Sequence, residues 1–325
     1  MLDNGRAFLI IGAAIAECAE NYGSVVLIAS APMIYNAIVP VAGLGTRLLP
    51  LTKSQPKELL AAGRKPVIQH IVEELAEAGI KNILLVTGKR KTAVENHFDR
   101  DSELIEMLEK AGKQRLIPTI DFEAMGVDFY YTRQLRQLGL GHAIGCGRAF
   151  ANGSPFVVAL GDSIIHAEKW RNIVKQLMDC FERTKACCVI AFEEVPREHV
   201  SRYGIARPGS DDEVFPVLEL VEKPSVETAP SNLAIAARYV FGPEIFDAIA
   251  KTPPGKGGEI QLTDAIRLLM AQGRKVYGLR MKPGETRHDI GSFESYFKCF
   301  LDFALDDPEF GPEFREYVQK ALKRQ

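Results

Sequence analysis

Several absences narrow the chemistry of this 325-residue chain before any positive signal is weighed. There is no HExxH, no GxSxG and no paired CxxC, so the usual metallopeptidase, serine-hydrolase and dithiol sites have no anchor residues. The six cysteines, Cys18, Cys146, Cys180, Cys187, Cys188 and Cys299, show no metal-ligand spacing, and several sit in apolar surroundings. They read as buried free thiols in a reducing compartment. His70, His97, His166, His199 and His288 are scattered and read as structural or surface residues. An excess of one charge is also missing: 40 basic residues face 42 acidic ones, which leaves no global field for nucleic acid.

A bilayer-spanning run is missing from the N-terminal region too. Phe8 to Ala16 is apolar but too short to cross a membrane, and Asp3 beside Arg6 lacks the positive flank of a signal peptide. Residues 1–35 read as an extension, with three forms open: an added helix, a partly disordered arm, or an upstream start codon. The composition as a whole is that of a soluble cytoplasmic enzyme without membrane attachment.

The most informative segment is AIVPVAGLGTRLLPLTKSQPKELL, from Ala37 to Leu60. A short apolar strand, Ala37 to Val41, runs into a glycine turn. Gly43 and Gly45 leave backbone N–H groups open to an anion, Arg47 brings a planar guanidinium, and Lys53 and Lys57 add compact charges. That is the build of a phosphate loop. Two better-known loops do not fit. The dinucleotide fingerprint needs a third small residue where Leu48 stands, and an acid after the next strand, where Ile83 to Thr87 leads into Gly88-Lys89. The Walker A loop needs a closing Gly-Lys-Ser/Thr, which does not follow.

Downstream, strand and helix patterns alternate and predict an α/β core. Pro66 opens a helix whose apolar face is Val67, Ile68, Ile71, Val72 and Leu75, closed by Gly79. Asn82 to Thr87 reads as a buried strand, Thr92–Phe98 and Ser102–Gly112 as helices, and Phe129–Thr132, Phe156–Leu160 and Ala186–Phe192 as further strands. The run Pro155 to Leu160 is apolar throughout, as a strand covered on both faces should be, and is expected in the middle of the sheet. Gly161-Asp162-Ser163 stands at its carboxyl end, where open α/β sheets gather ligands.

Taken together, AGLGTRLLPLTKSQPKELL, VENHFDRDSELIEMLEK from Val94, RQLRQLGLGHAI from Arg133, VEKP from Val221, APSNLAIAARYVF from Ala229 and GGEIQLTDAI from Gly257 resemble the bacterial UTP-glucose-1-phosphate uridylyltransferases of the sugar-nucleotidyltransferase superfamily. The resemblance runs from about Asn36 to Phe300. It implies a Rossmann-like three-layer sandwich with a central mixed, mostly parallel sheet. One catalytic domain over residues 36–306 would be followed by a helical tail over 307–325, able to pack on a neighbouring subunit. A homodimer or homotetramer is implied as well.

The resemblance also assigns roles. Asp162 would hold Mg²⁺, a hard cation suited to one or two carboxylates plus phosphate oxygens, with Asp289 of HDIG as the second acidic position. Each aspartate has a plainer alternative as a turn residue. Gln134 and backbone atoms of Ala42, Gly43 and Gly139 would read the uracil edge, with Gln137 as a competitor for the glutamine role. Glu222 would accept hydrogen bonds from sugar hydroxyls, Lys223 would hold the sugar phosphate, and the Gly204 backbone would touch the sugar; a solvated charge pair is the alternative for Glu222-Lys223. Arg47, Lys57 and Lys223, with Gly43 and Gly45, would serve the phosphates. The implied reaction joins UTP and glucose 1-phosphate into UDP-glucose and pyrophosphate. Two other readings stay open: a thymidylyltransferase with the same core, and a non-catalytic sugar-nucleotide-binding subunit.

Overall fold

The computed structural model describes residues 34–167 and 171–324. The predicted N-terminal extension lies, but for Ile34 and Tyr35, outside the described residues. Those two belong to the folded body: Ile34 is buried in the core, and the Tyr35 carbonyl accepts from the Lys81 and Asn82 amides.

In chain order the strands and α-helices are β1 (Asn36–Pro40), β2 (Ala61–Ala62), β3 (Lys65–Pro66), α1 (Val67–Glu77), β4 (Asn82–Thr87), α2 (Thr92–Phe98), α3 (Ser102–Lys110) and β5 (Asp128–Arg133). Then come α4 (Leu140–Gly145), α5 (Arg148–Ala151), β6 (Phe156–Ala159), β7 (Ser163–His166), α6 (Ile173–Thr184), β8 (Cys188–Glu194), β9 (Gly204–Pro208) and β10 (Val214–Glu222). The last are β11 (Leu233–Phe241), α7 (Ile245–Lys251), α8 (Leu262–Ala271), β12 (Val276–Arg280), β13 (Thr286–Asp289), α9 (Phe293–Leu305) and α10 (Gly311–Leu322).

Nine strands form one sheet in the order β5-β4-β1-β6-β11-β8-β12-β10-β9. β5, β4, β1 and β6 pair in parallel, and β8 and β12 pair in parallel further along. β11 lies antiparallel to both β6 and β8, so these six strands run one way and β11 runs against them. The sheet is mixed, as expected: seven of its nine strands run one way with β10 and β11 against them, while four of the nine pairings are parallel and five antiparallel. β6 lies fourth of nine, and the fifth place belongs to β11, all of whose nine residues are buried.

Alternation sorts the side chains of this sheet between two cores. Val39, Leu85 and Val157 face α1 and α6, whereas Ile38, Leu84, Phe156 and Val158 face α4, α7 and α8. This is the three-layer arrangement. On α1 the residues Val67, Ile68, Ile71, Val72 and Leu75 are all buried, as their spacing predicts, and Pro66 stands at the N-cap. On α3, Asp101 caps the helix by accepting from the Leu104 amide at 2.9 Å.

Phe156 is fully buried and stacks on Phe246 with ring centroids 5.0 Å apart, tying the sheet to α7. Phe156→Ala is expected to lower unfolding stability by about 3–5 kcal/mol, read as a reduced urea midpoint at unchanged m-value. A midpoint near that of the parent protein would mean that this layer is not the cohesive one.

Candidate active site

The site begins where β1 ends. Val41 donates to the Val86 carbonyl at 2.9 Å, and the chain then turns through Gly43 and Gly45 into three 3₁₀ turns, Thr46–Leu48, Leu51–Lys53 and Lys57–Leu59. Buried Leu48 pins the loop from below, and the Thr52 hydroxyl donates to the Gly45 carbonyl at 2.8 Å. These turns fold the loop back so that the Lys57 ammonium stands 3.6 Å from where a Cβ on Gly43 would be.

Asp162 reaches the same place from β6. β1 and β6 are parallel neighbours, so the loops after them leave from one edge of the sheet. Gly161 allows the contact: a Cβ there would stand 2.4 Å from Val41 Cγ1 and 3.0 Å from the Pro40 carbonyl oxygen. Lys57 Nζ and Asp162 Oδ2 form a tight ion pair. Asp289 joins them because β13 pairs with β7, setting Asp289 opposite Ser163, while the Ile290 amide donates to the Asp162 carbonyl at 2.8 Å. Arg47 completes the group. Its Nη2 and the Asp289 Oδ2 each lie 3.0 Å from the position a Cβ on Gly291 would take.

Burial alone would raise Asp162, but the Lys57 ammonium, with Arg47 behind it, holds its carboxyl below the usual carboxylate range. Asp289 goes the other way: burial first and the Asp162 charge second push it up, against Arg287, Lys57 and Arg47. Burial also opposes charge on Lys57, yet Asp162 and Glu58 hold its pKa above the ordinary lysine value. Among the described residues, no three His, Cys, Asp or Glu side chains gather into a metal cage. Two adjacent carboxylates facing cations fit a hard divalent ion that takes its remaining ligands from phosphate and water.

A second corner lies at β9 and β10. Their pairing sets Glu222 opposite Gly204 and Val221 opposite Ile205, and Ile205 in turn lies opposite Ala234 near the start of β11. Since β11 runs against β6, its start lies at the edge where β6 ends. Lys223 follows the strand with a φ of 46°, so the alternation that would send Glu222 and Lys223 to opposite faces is broken. Lys223 Nζ lies 3.3 Å from Glu222 Oε1, and the buried Thr263 hydroxyl donates to Glu222 Oε2 at 2.6 Å. The corners are joined through protein: Arg287 pairs with Glu193 and stacks over the Tyr203 ring at 4.6 Å, and the Tyr203 carbonyl accepts from the Lys223 amide at 3.0 Å.

The third corner holds the residues expected at the base. Gln134 is buried after β5; its Nε2 donates to the Gly139 carbonyl at 3.0 Å and lies 3.0 Å from His142 Nδ1. Gln137, its competitor, instead donates to the Ala42 carbonyl at 2.7 Å. Gly139 has a φ of 95°, and a Cβ there would stand 2.7 Å from Glu259 Cβ. The close approach that this glycine permits is used by the chain's own Glu259–Ile260 segment, whose Ile260 amide and carbonyl bond Leu138 and Gly141.

Several site-supporting residues escape a reading of the sequence. Glu58 and Lys91 form a buried pair at 2.5 Å next to Lys57, and Thr263 and Arg287 brace the Glu222-Lys223 corner. Glu58, Lys91 and Thr263 stand in plain view in PKELL, GKRK and QLTDAI, but their partners are far along the chain. A surface hollow of about 600 Å³ lined by Cys146, Arg148 and Phe246 lies elsewhere, and there Arg148 is paired with Asp247.

Residues 36–304 match the model of the nucleotidyl transferase family. The chain is 44% identical over 293 residues to a UTP–glucose-1-phosphate uridylyltransferase of Bacillus subtilis, covering 90% of this chain and 98% of that one. Among solved structures, a UTP-bound UGPase from Acinetobacter baumannii is similar with a TM-score of 0.81 and 36% identity, over 88% of this chain and 99% of that one. A UDP-glucose pyrophosphorylase complexed with UDP-glucose is similar with a TM-score of 0.73 and 38% identity, over 83% and 98%. The chain belongs to the nucleotidyl transferase family, and within it to the UTP–glucose-1-phosphate uridylyltransferases.

The sign of each charge effect follows from these shifts. Asp289, held above the ordinary carboxylate value, opposes folding once ionised; in chelator at pH 7, Asp289→Asn should raise the urea midpoint. That gain should vanish below the ordinary aspartate pKa of about 3.9. Asp162, held low, contributes stability above that value and loses it as pH falls through its depressed folded pKa, so Asp162→Asn should lower the midpoint at pH 7. Identical midpoints for parent and variants would sink the electrostatic account.

Proposed function

We propose that this protein makes UDP-glucose and pyrophosphate from UTP and α-D-glucose 1-phosphate. The observation that carries the reading is the gathering of Arg47, Lys57, Asp162 and Asp289 at one sheet edge, beside the Glu222-Lys223 corner, in a member of this family. Two cations and two carboxylates sum to zero formal charge. A triphosphate entering such a site brings negative charge that the cluster alone leaves uncompensated, which supports a bound dication. Asp162 and Asp289 are the residues that would hold Mg²⁺, whose chemistry is neutralisation of phosphate oxygens.

No general base is needed, because the sugar phosphate is already anionic at neutral pH. One of its oxygens attacks the α-phosphorus of UTP in line; the new P–O bond forms as the bond from that phosphorus to the α,β-bridging oxygen breaks, and pyrophosphate leaves. The residues of this chain contribute position and charge. Arg47 stabilises the triphosphate and its departing pyrophosphate. Lys57, kept protonated by its acidic neighbours, turns from Asp162 toward the nucleotide phosphates. Lys223 holds the incoming phosphate, while Glu222, oriented by Thr263, accepts from adjacent sugar hydroxyls. Gln134 and the backbone of Ala42, Gly43 and Gly139 meet the uracil; Gly45 shapes the phosphate turn and Gly204 lines the sugar.

The five described cysteines are free, and no helix among the described residues is long and apolar enough to cross a membrane. We assign the protein to the cytoplasm as a homodimer or homotetramer. Phe297, Phe310 and Tyr317, exposed on and beside the last two helices, are the surface offered for self-association.

Pyrophosphate release with Mg²⁺ and glucose 1-phosphate should be strong with UTP and weak with dTTP. Preference for dTTP would move the protein to the thymidylyltransferases, and binding of UDP-glucose without turnover would make it a binding subunit. Arg47→Ala and Lys223→Ala are each expected to lose about 3–4 kcal/mol of transition-state stabilisation, read from kcat/KM. Near-normal turnover in either variant would remove that residue from the mechanism.

A further inference from the structure

The most deeply buried charge among the described residues is not at the substrate face. Arg238, fully inaccessible to solvent, points from β11 into the space between the sheet and α1. Its Nε and Nη2 donate to Glu74 Oε2 at 3.0 and 2.6 Å, and its Nη2 also donates to the Ser163 carbonyl at 2.9 Å. Its Nη1 donates to the Ala237 carbonyl at 3.1 Å, and that same carbonyl accepts from the Leu160 amide at 3.1 Å. One guanidinium thus ties down both ends of the Leu160–Ser163 turn, Ser163 directly and Leu160 through Ala237. Gly161 and Asp162 stand between them. The Ser163 amide closes the turn onto the Leu160 carbonyl at 3.3 Å, and the same Ser163 pairs across the ribbon with Asp289.

The backbone next to this side chain is deformed. β11 changes register between Ile235 and Tyr239, and within that bulge Ala237 has a φ of 60°, a costly conformation for a residue other than glycine. The Glu74 end is anchored as well, since the Asn172 side chain donates to the Glu74 carbonyl at 2.8 Å. A buried ion pair contributes little net stability compared with well-packed apolar residues of similar volume. Its place next to two carboxylates calls for a geometric reason.

We propose that Arg238 and Glu74 form a positioning brace that holds the Asp162 turn in place, and through it the spacing of Asp162 and Asp289, for cation binding. The inference rests on the metal and phosphate reading of those two aspartates given above. Neither brace residue touches substrate; both act through the backbone of the turn, as outer partners orient the ligands of a metal site.

The test uses Mn²⁺ as the probe, with free ion followed by electron paramagnetic resonance in the presence of UDP-glucose and the full-length protein. The double variant Arg238→Met/Glu74→Leu fills the same space with apolar side chains, so stability and positioning separate. The expected result is a melting temperature equal to or above that of the parent, UDP-glucose binding in chelator near the parent value, and Mn²⁺ affinity weakened by about 10- to 100-fold. Arg238→Lys, which keeps the charge and loses the fork, gives the same readout if the double variant does not fold. Parent-like Mn²⁺ affinity in a folded variant would overturn the brace. Asp162→Asn is the control: if it binds Mn²⁺ as the parent does, the metal reading itself fails and the brace falls with it.

Discussion

The ion pair between Lys57 and Asp162 is the contact on which the rest of the site depends. It joins a loop after β1 to a turn after β6, and parallel pairing of those strands puts both loops at one edge of the sheet. The pair is only partly open to solvent, so each charge needs further neighbours. Lys57 has Glu58 beside it, and Glu58 has Lys91; Asp162 has Arg47 within reach, and Arg47 approaches Asp289. Charges alternate through this region, and the alternation keeps a dense cluster of ionised groups tolerable without ligand. In the proposed reaction, a phosphate that drew Lys57 away would leave Asp162 beside Asp289, the arrangement the proposed cation would need.

The antiparallel β11 gives this edge its breadth. Because it runs against β6 and β8, its start lies where their ends lie, and the β9–β10 ribbon pairs there through Ile205 and Ala234. Glu222 and Lys223 are carried in by that ribbon, and the left-handed Lys223 backbone turns both side chains toward one space. The same strand supplies Arg238 beneath the Asp162 turn. One strand therefore places the Glu222-Lys223 corner and supports the Asp162 turn.

The contrast between legible and hidden residues is physical. Val67, Ile68, Ile71, Val72 and Leu75 announce a helix face because burial of one stripe imposes a 3.6-residue period, and the apolar run of β6 announces a strand covered twice. Arg47 and Lys57 stand out because a glycine turn with cations has a local anion chemistry. Glu58 with Lys91, 33 residues apart, and Glu74 with Arg238, 164 residues apart, leave no such trace. On a linear reading each is one more charged residue among many. The role of Gly139 is of the same kind: its φ suits glycine, but the crowding by Glu259 and Ile260 arises only when the chain returns 120 residues later.

The α/β class, the periodic helices and strands, the glycine turn carrying Arg47 and Lys57, and the acid at the end of an apolar strand were all legible along the chain. These rest on short-range rules, where propensity, period and turn chemistry act within a few residues. Long-range pairing was needed to set Asp289 near Asp162, to give β11 and not β6 the central place, and to bring Thr263 and Arg238 to groups far from them in sequence. Such contacts are set by strand order and register, and those follow from how the whole chain buries its two apolar faces at once.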